Sequence, residues 1–116
     1  MAIADDGVLP SVTAEEAIAL VAAGHRLVDV REQGEWDDVH APAAQLLPMS
    51  ALTERVGELP TDEQILVVCH SGGRSARVTA ALIDAGYDAV NVLGGMTAWQ
   101  AAGGDVVTAA AGEHGN

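Results

Sequence analysis

The fold is decided by the stretch Ile65-Leu66-Val67-Val68-Cys69-His70-Ser71-Gly72-Gly73-Arg74-Ser75. Its first four residues are apolar and typical of a buried strand, and the Gly-Gly-Arg-Ser run is typical of a turn that leads into a helix. The single cysteine of the chain, Cys69, lies where that strand ends. Successive backbone N–H groups and the positive end of the helix dipole then face one point. The stretch therefore predicts a thiol that is held as its reactive anion, although a lone cysteine at a strand end is otherwise a core residue.

Main-chain donors are expected to dominate over the helix dipole in ionising this thiol. A helix N-terminus contributes about 0.3–1 kcal/mol, whereas a hydrogen bond to a charged group contributes about 1.5–3 kcal/mol. Gly72 and Gly73 let the backbone approach an anion without a Cβ in the way. Arg74 adds a fixed charge suited to oxyanions. Ser75 is predicted as the N-cap of the helix, with a hydroxyl that could also face the loop.

Strands alternate with helices along the chain. The predicted strands span residues 8–9, 26–31, 46–47, 64–68 and 89–93, and the predicted helices span residues 14–23, 32–38, 50–56, 74–85 and 96–102. This alternation predicts an α/β fold with a mostly parallel five-stranded sheet covered by helices on both faces. Ligands in such folds bind beyond the carboxyl ends of the strands. Cys69 and Arg31 both lie at such ends, so Arg31 could reach the same rim as the thiol.

Composition limits the partners and the setting of the chain. The 116 residues carry a net charge of −12, with no lysine, which argues against nucleic acid and anionic membranes as partners. We find no apolar stretch of about 20 residues and no secretory signal. A single cysteine rules out an internal disulfide, so a cytoplasmic, reducing setting is expected. We expect one domain over residues 8–107, with a flexible N-terminus (1–7) and a flexible tail (108–116).

Several further polar residues are candidates for the site or for the structure around it. Arg31 either pairs with Glu35, four residues on, or faces the mouth of the loop. Asp29 lies in a buried strand and needs a hydrogen-bonding partner, for which a neighbouring loop is the ordinary source. His70 is expected at the rim, where it shapes access to the thiol. Arg77 is expected to be a solvated helix residue.

A metal site and a nucleotide cofactor are not indicated by the sequence. Four histidines lack the spacing of a zinc site: His25, His40, His70 and His114. The Gly-Gly pairs do not form a dinucleotide motif, and a P-loop needs a lysine that the chain lacks. Trp36 and Trp99 are interpreted as packing residues. We therefore expect no cofactor and no metal.

At these residues the chain resembles the rhodanese-like sulfurtransferase family. Cys69 opens a six-residue loop that ends at Arg74, and two more segments support the resemblance. They are Leu27-Val28-Asp29-Val30-Arg31-Glu32 with Glu35-Trp36, His40-Ala41-Pro42-Ala43-Ala44 and Leu47-Pro48 upstream, and Gly94-Gly95-Met96-Thr97-Ala98-Trp99 downstream. The chain departs from the family at Val39 and Ala43, where glycine is frequent.

The resemblance implies a three-layer rhodanese-like fold and a thiosulfate sulfurtransferase-like enzyme. Cys69 is then the catalytic residue, and the substrate-binding residues are His70, Ser71, Gly72, Gly73, Arg74, Ser75 and Arg31. The implied partners are a small anionic sulfur donor and an acceptor that is cyanide, a thiol or a protein. Two alternatives stay open, a non-catalytic binding or regulatory module and a cysteine-based phosphatase or arsenate reductase. The related phosphatases have a loop one residue longer, and the shorter loop here favours sulfur over phosphate.

Overall fold

A five-stranded parallel sheet organises the chain in the computed structural model, which describes residues 9–109. The strands are β1 (Ser11–Val12), β2 (Arg26–Asp29), β3 (Val39–His40), β4 (Gln45–Leu46), β5 (Gln64–Val68), β6 (Asp88–Val92) and β7 (Val107–Thr108). The helices are α1 (Ala14–Ala22), α2 (Gln33–Asp38), α3 (Leu52–Arg55), α4 (Gly73–Asp84) and α5 (Gly95–Ala101), and 3₁₀ turns (Met49–Ala51 and Val56–Glu58) flank α3. The flexible N-terminus expected at 1–7 lies outside the described residues, as does the expected tail (108–116) beyond residue 109.

The order of strands places β5 at the centre of the sheet. The order is β1-β6-β5-β2-β4, and all four pairings are parallel. Val68 at the end of β5 is in register with Asp29 of β2, so the carboxyl ends of both strands lie at the same edge. The predicted α/β fold with a parallel five-stranded sheet is confirmed.

Helices cover both faces of the sheet because side chains alternate along β5. Val67 packs with Val78 and Leu82 of α4 in one buried cluster. Leu66 and Val68 point to the other face, where the second cluster includes these buried residues of α1 and α5: Ala17, Met96 and Trp99. The three-layer arrangement therefore follows from the period of two in an apolar central strand.

The residues at both ends of α1 have the capping structure that is typical of their sequence. Thr13 Oγ1 accepts from the Glu16 N–H at 3.1 Å, and Glu16 Oε1 accepts from the Thr13 N–H at 2.8 Å. This is the capping box that the sequence predicts. Gly24 follows the helix with a φ of 104°, a left-handed conformation that a side chain disfavours.

Two predicted elements were wrong in detail, and the short strands β3 and β7 were missing from the prediction. The first strand is Ser11–Val12 rather than residues 8–9, since Ser11 is in register with Asn91 of β6; Val8 lies outside the described residues. The helix predicted from residue 50 begins only at Leu52, because Ser50 lies inside a 3₁₀ turn and its hydroxyl donates to Glu32 at 2.8 Å.

The strand β7 pairs antiparallel with β3, and Val39 is in register with Thr108. A two-residue strand carries no periodic signal, so its partner is needed to identify it. The pairing extends ordered structure to Thr108, one residue past the domain end expected from the sequence. Among residues 9–109, no helix has the length and apolar character needed to cross a bilayer.

Candidate active site

The loop that follows β5 turns sharply into α4. Gly72 is the N-cap of this helix and has a φ of 115°, a left-handed conformation that favours glycine. The predicted N-cap, Ser75, was wrong, because the helix already begins at Gly73 and Ser75 lies inside its first turn. Gly72 therefore allows the reversal of the chain that brings the start of α4 back over the thiol.

Cys69 lies at the bottom of this loop. Its residue surface is 1% exposed, whereas His70, Ser71 and Gly73 above it are exposed. The Gly72 N–H donates to Cys69 Sγ at 3.1 Å. The thiol is thus buried beneath an exposed turn of backbone that supplies a hydrogen-bond donor to it.

The surroundings of Cys69 favour its thiolate. Burial raises the pKa of the thiol, but hydrogen bonds from the Ser75 hydroxyl, the Ser75 backbone and the Gly72 and Ser71 backbones outweigh burial and hold the pKa below its ordinary value. Hydrogen bonds to the charged form of a group lower its pKa when the group is an acid. The local structure therefore favours the ionised form of this sulfur.

Ser75 anchors the loop from inside the helix. It is fully buried, and its Oγ lies 3.2 Å from the carbonyl oxygen of Gly72 and 2.6 Å from Oδ1 of Asn91. Asn91 is itself 4% exposed and lies on β6. The Ser75 hydroxyl was predicted to face the loop, whereas Asn91 was not predicted to contact it, because an isolated asparagine in a strand carries no motif.

Arg74 is held by an acidic partner. Its Nη1 and Nη2 donate to the two carboxylate oxygens of Glu35 at 2.7 and 2.8 Å. Hydrogen bonding to Arg74 outweighs partial burial and lowers the pKa of Glu35 from 4.5 to about 2. The predicted partner of Glu35 was Arg31, which was wrong because Arg31 is turned toward β2.

Arg31 forms a buried ion pair with Asp29. Its Nε and Nη2 donate to Asp29 at 3.0 and 2.8 Å, and Nη2 also donates to the carbonyl oxygen of Val39. Arg31 is 2% exposed. The buried carboxylate of Asp29 is therefore satisfied by this side chain and by the Arg31 backbone N–H, which lies in the loop after β2 and donates to Oδ1 at 3.0 Å, as the sequence led us to expect of a neighbouring loop. Arg31 was predicted to bind a substrate, but its guanidinium is largely engaged in these structural contacts.

A cleft of about 270 Å³ borders the loop, lined by Arg31, Glu35, Asp38, Val39 and His70. His70 is exposed, as expected for a rim residue. The structure thus brings Arg31 and His70 to one cleft, although they are 39 positions apart in the chain. No group of three or more metal-ligating side chains occurs within residues 9–109.

The segment Gly94–Thr97 supports the far side of the loop. Met96 N–H donates to the Cys69 carbonyl oxygen at 2.7 Å, and Thr97 N–H donates to the His70 carbonyl oxygen at 3.1 Å. A Cβ on Gly95 would lie 2.6 Å from the carbonyl oxygen of His70. Position 95 therefore requires glycine, because a side chain there would collide with the loop. This contact is the reason for a glycine in the second Gly-Gly pair, Gly94-Gly95.

The two tryptophans have packing roles. Trp99 is 3% exposed, and its Nε1 donates to the Asp105 carbonyl oxygen at 2.9 Å. Trp36 stacks on His40, with ring centroids 3.8 Å apart and an interplanar angle of 4°. Arg77 is exposed on α4. These three placements agree with the sequence analysis.

Comparison with known proteins gives consistent results. The family described as the rhodanese-like domain matches residues 13–102. A probable adenylyltransferase/sulfurtransferase of Mycobacterium tuberculosis is 45% identical over 76 residues, which cover 63% of this chain and 19% of that protein. The chain thus spans about a fifth of the length of that relative. Thiosulfate sulfurtransferase 18 of Arabidopsis thaliana is 37% identical over 105 residues, covering 77% of this chain and 76% of that protein.

A solved structure shows the same fold. The rhodanese-related protein from Thermoplasma volcanium superposes with a TM-score of 0.80 at 31% identity, covering 84% of this chain and 97% of that one. The family match, over residues 13–102, includes the whole loop from Cys69 to Ser75.

Proposed function

The chain belongs to the rhodanese-like domain family, and from that premise we propose that it is a sulfurtransferase that carries a sulfane sulfur on Cys69. The sulfur would come from a donor such as thiosulfate and pass to a thiol or to cyanide. The observation that supports this most is the hydrogen bond from the Gly72 N–H to Cys69 Sγ at 3.1 Å. It lies in a loop that holds the pKa of the thiol below its ordinary value.

The first half-reaction forms a persulfide. The Cys69 thiolate attacks the outer sulfur of thiosulfate, a new S–S bond forms, and the original S–S bond breaks so that sulfite leaves with its electron pair. The outer sulfur of the resulting persulfide carries the negative charge. Backbone N–H groups of the loop, including those of Ser71 and Gly72, are the donors proposed to stabilise that charge.

The second half-reaction regenerates the thiolate. An acceptor thiolate or cyanide attacks the outer sulfur, and the S–S bond to Cys69 breaks with its electron pair returning to Cys69. Electrons balance in both halves, so no oxidant or cofactor is needed. The sequence contains one cysteine, so the acceptor lies outside these 116 residues, as a small thiol or a protein. A reducing cytoplasmic setting would keep Cys69 available.

Arg74 is proposed to contact the oxygen atoms of the donor. A guanidinium has five N–H groups, and the contacts with Glu35 involve its Nη1 and Nη2 atoms. Glu35 fixes the orientation of the group and offsets its charge. With a net charge of −12 on the chain, this local cation is the feature that favours a small anionic donor, and the same net charge disfavours nucleic acid and anionic membranes.

A second function is favoured by the burial of the thiol. Cys69 is 1% exposed, which suits a binding or regulatory module that keeps the fold without turnover. Sulfur transfer from thiosulfate to cyanide, followed as thiocyanate formation, separates the two. We expect turnover with ping-pong kinetics in the wild type and none in Cys69→Ser. A folded wild type that forms no thiocyanate would support the module instead.

A further inference from the structure

Asn91 lies behind the loop in a fixed position. Its backbone is in register with Ser11 on one side and Val67 on the other, and its N–H donates to the Pro10 carbonyl oxygen at 2.9 Å. Residues two apart in a strand share a face, and Ala89 packs in the cluster that contains α4. The side chain of Asn91 is therefore directed at α4, where it meets Ser75.

The contact between Asn91 and Ser75 is buried and short. Oδ1 of Asn91 lies 2.6 Å from Oγ of Ser75, and the two residues are 4% and 0% exposed. The same hydroxyl also lies 3.2 Å from the carbonyl oxygen of Gly72, the residue whose N–H donates to Cys69 Sγ. The Ser75 hydroxyl thus lies between Asn91 and the Gly72 carbonyl oxygen of the loop, and its hydrogen bond to Cys69 lowers the pKa of the thiol.

We propose that Asn91 is a positioning residue for the Cys69 thiolate and acts through Ser75. A serine hydroxyl has one hydrogen, so it donates to one group at a time. While Cys69 is a thiol, the Ser75 hydroxyl donates to Oδ1 of Asn91. When Cys69 loses its proton, the Ser75 hydroxyl turns to the sulfur, and the amide of Asn91 turns over so that its NH₂ group donates to Ser75.

The two ionisation states depend on Asn91 to different degrees. With a thiol, the Gly72 carbonyl oxygen is a second acceptor for the Ser75 proton, so loss of the amide is tolerated. With a thiolate, Asn91 is the donor that completes the chain of hydrogen bonds toward the sulfur, and such chains strengthen one another. Loss of the Asn91 amide therefore disfavours the thiolate and raises the pKa of Cys69.

The test is a double-mutant cycle on the titration of the thiol, which can be followed by the ultraviolet absorbance of the thiolate and by the pH dependence of alkylation. We expect Ser75→Ala and Asn91→Leu each to raise the pKa of Cys69, Ser75→Ala by about one unit, which is a tenfold lower thiolate fraction below the pKa. Because Asn91 acts through Ser75, Asn91→Leu should have no further effect in the Ser75→Ala background. The proposal would be overturned if Asn91→Leu left the pKa of Cys69 unchanged. It would also be overturned if Asn91→Leu raised that pKa equally in the wild-type and Ser75→Ala backgrounds.

The matched control is Thr79→Val on the same helix. Thr79 is fully buried one turn beyond Ser75, and its hydroxyl has no hydrogen-bond partner among the described residues. We expect no change in the pKa of Cys69. If Asn91→Leu does not fold, Asn91→Ala removes the amide without adding a charge, and the pKa of Cys69 must then lie above that of the wild type.

The charged groups around the loop stay the same in these variants. They are Arg74 on α4, Glu35 and Asp38 on α2, the Arg31–Asp29 pair and His70, while α5 carries no charged residue. The inference concerns the site of the proposed transfer, but the titration needs no turnover. A wild-type pKa at the ordinary value would count against the proposed function, whereas a lowered wild-type pKa that Asn91→Leu leaves unchanged would count against this inference alone.

Discussion

Arg74 and Glu35 form a two-point ion pair between the start of α4 and α2, with N–O distances of 2.7 and 2.8 Å. They are 39 residues apart in sequence. Their side chains are 29% and 37% exposed, so water reaches the pair. The pair joins the reactive loop to the segment that lines the neighbouring cleft.

Replacement of Arg74 should slow the attack on an anionic donor. We expect Arg74→Ala to reduce the rate of sulfur uptake from thiosulfate by about tenfold or more, since a hydrogen bond to a charged group contributes about 1.5–3 kcal/mol. Stopped-flow or quenched single-turnover kinetics measures this rate. The matched control is Arg77→Ala, an exposed arginine on the same helix, which should leave the rate unchanged. Equal rates in Arg74→Ala and the wild type would remove Arg74 from donor binding.

The ion pair should make stability depend on pH in the acid range. The folded-state pKa of Glu35, about 2, lies below its ordinary value of 4.5. A carboxyl whose pKa is lowered by folding contributes stability above its unfolded pKa, and this contribution is lost as the pH falls from 4.5 through about 2. Because the pair is partly exposed, screening limits it to about 1 kcal/mol or less.

Urea unfolding of the wild type and Glu35→Gln as a function of pH measures this contribution. The difference in unfolding free energy between the two proteins should be largest near neutral pH and should shrink below pH 4.5. A difference that stays constant down to about pH 2 would show that the charge on Glu35 does not stabilise the fold.

The buried pair of Asp29 and Arg31 should matter more to stability than any exposed pair. Asp29→Ala leaves the Arg31 guanidinium buried without its partner, and breaking a buried pair in this way costs about 3–5 kcal/mol. Thermal and urea unfolding measure the loss. Glu58→Ala breaks the exposed pair with Arg55 and serves as the control, for which we expect little change. Similar losses in both variants would contradict the assignment.

Gly95 should tolerate no side chain. It has a φ of 57°, and an added Cβ would lie 2.6 Å from the His70 carbonyl oxygen. We expect Gly95→Ala to destabilise the protein by more than the ~1–3 kcal/mol of backbone strain alone and to displace the loop. Gly103→Ala is the control, because Gly103 also has a positive φ, 86°, but has open space around its Cβ position. If the two variants unfold alike, steric contact with the loop is not the reason for Gly95.

The fold was predictable because β5 and α4 carry strong local signals. Ile65-Leu66-Val67-Val68 is a continuous apolar run, and the apolar face of α4 has helical spacing, so both elements were located to within about a residue. The strand pair β3–β7 was missed, because two-residue strands are defined by their partner and not by their own sequence.

The loop around Cys69 was predictable from the sequence, whereas the residues that contact it from other elements were not. Cys69 and its loop are contiguous in sequence, so their spacing could be interpreted directly. Glu35 and Asn91 reach the loop from other elements, and no local pattern distinguishes Glu35 from the other carboxylates of an acidic helix. Arg31 follows a strand and lines the cleft with His70, but its guanidinium pairs with Asp29 two residues earlier, a contact that no local pattern indicated.

The central claim is that Cys69 carries one sulfur atom, and the mass of the intact protein tests it most directly. The protein is incubated with thiosulfate, freed of the donor and weighed without a reducing agent. The wild type should gain the mass of one sulfur atom and lose it on addition of cyanide, while Cys69→Ser should keep its mass. A wild type whose mass does not change, or an equal gain in Cys69→Ser, would contradict the account.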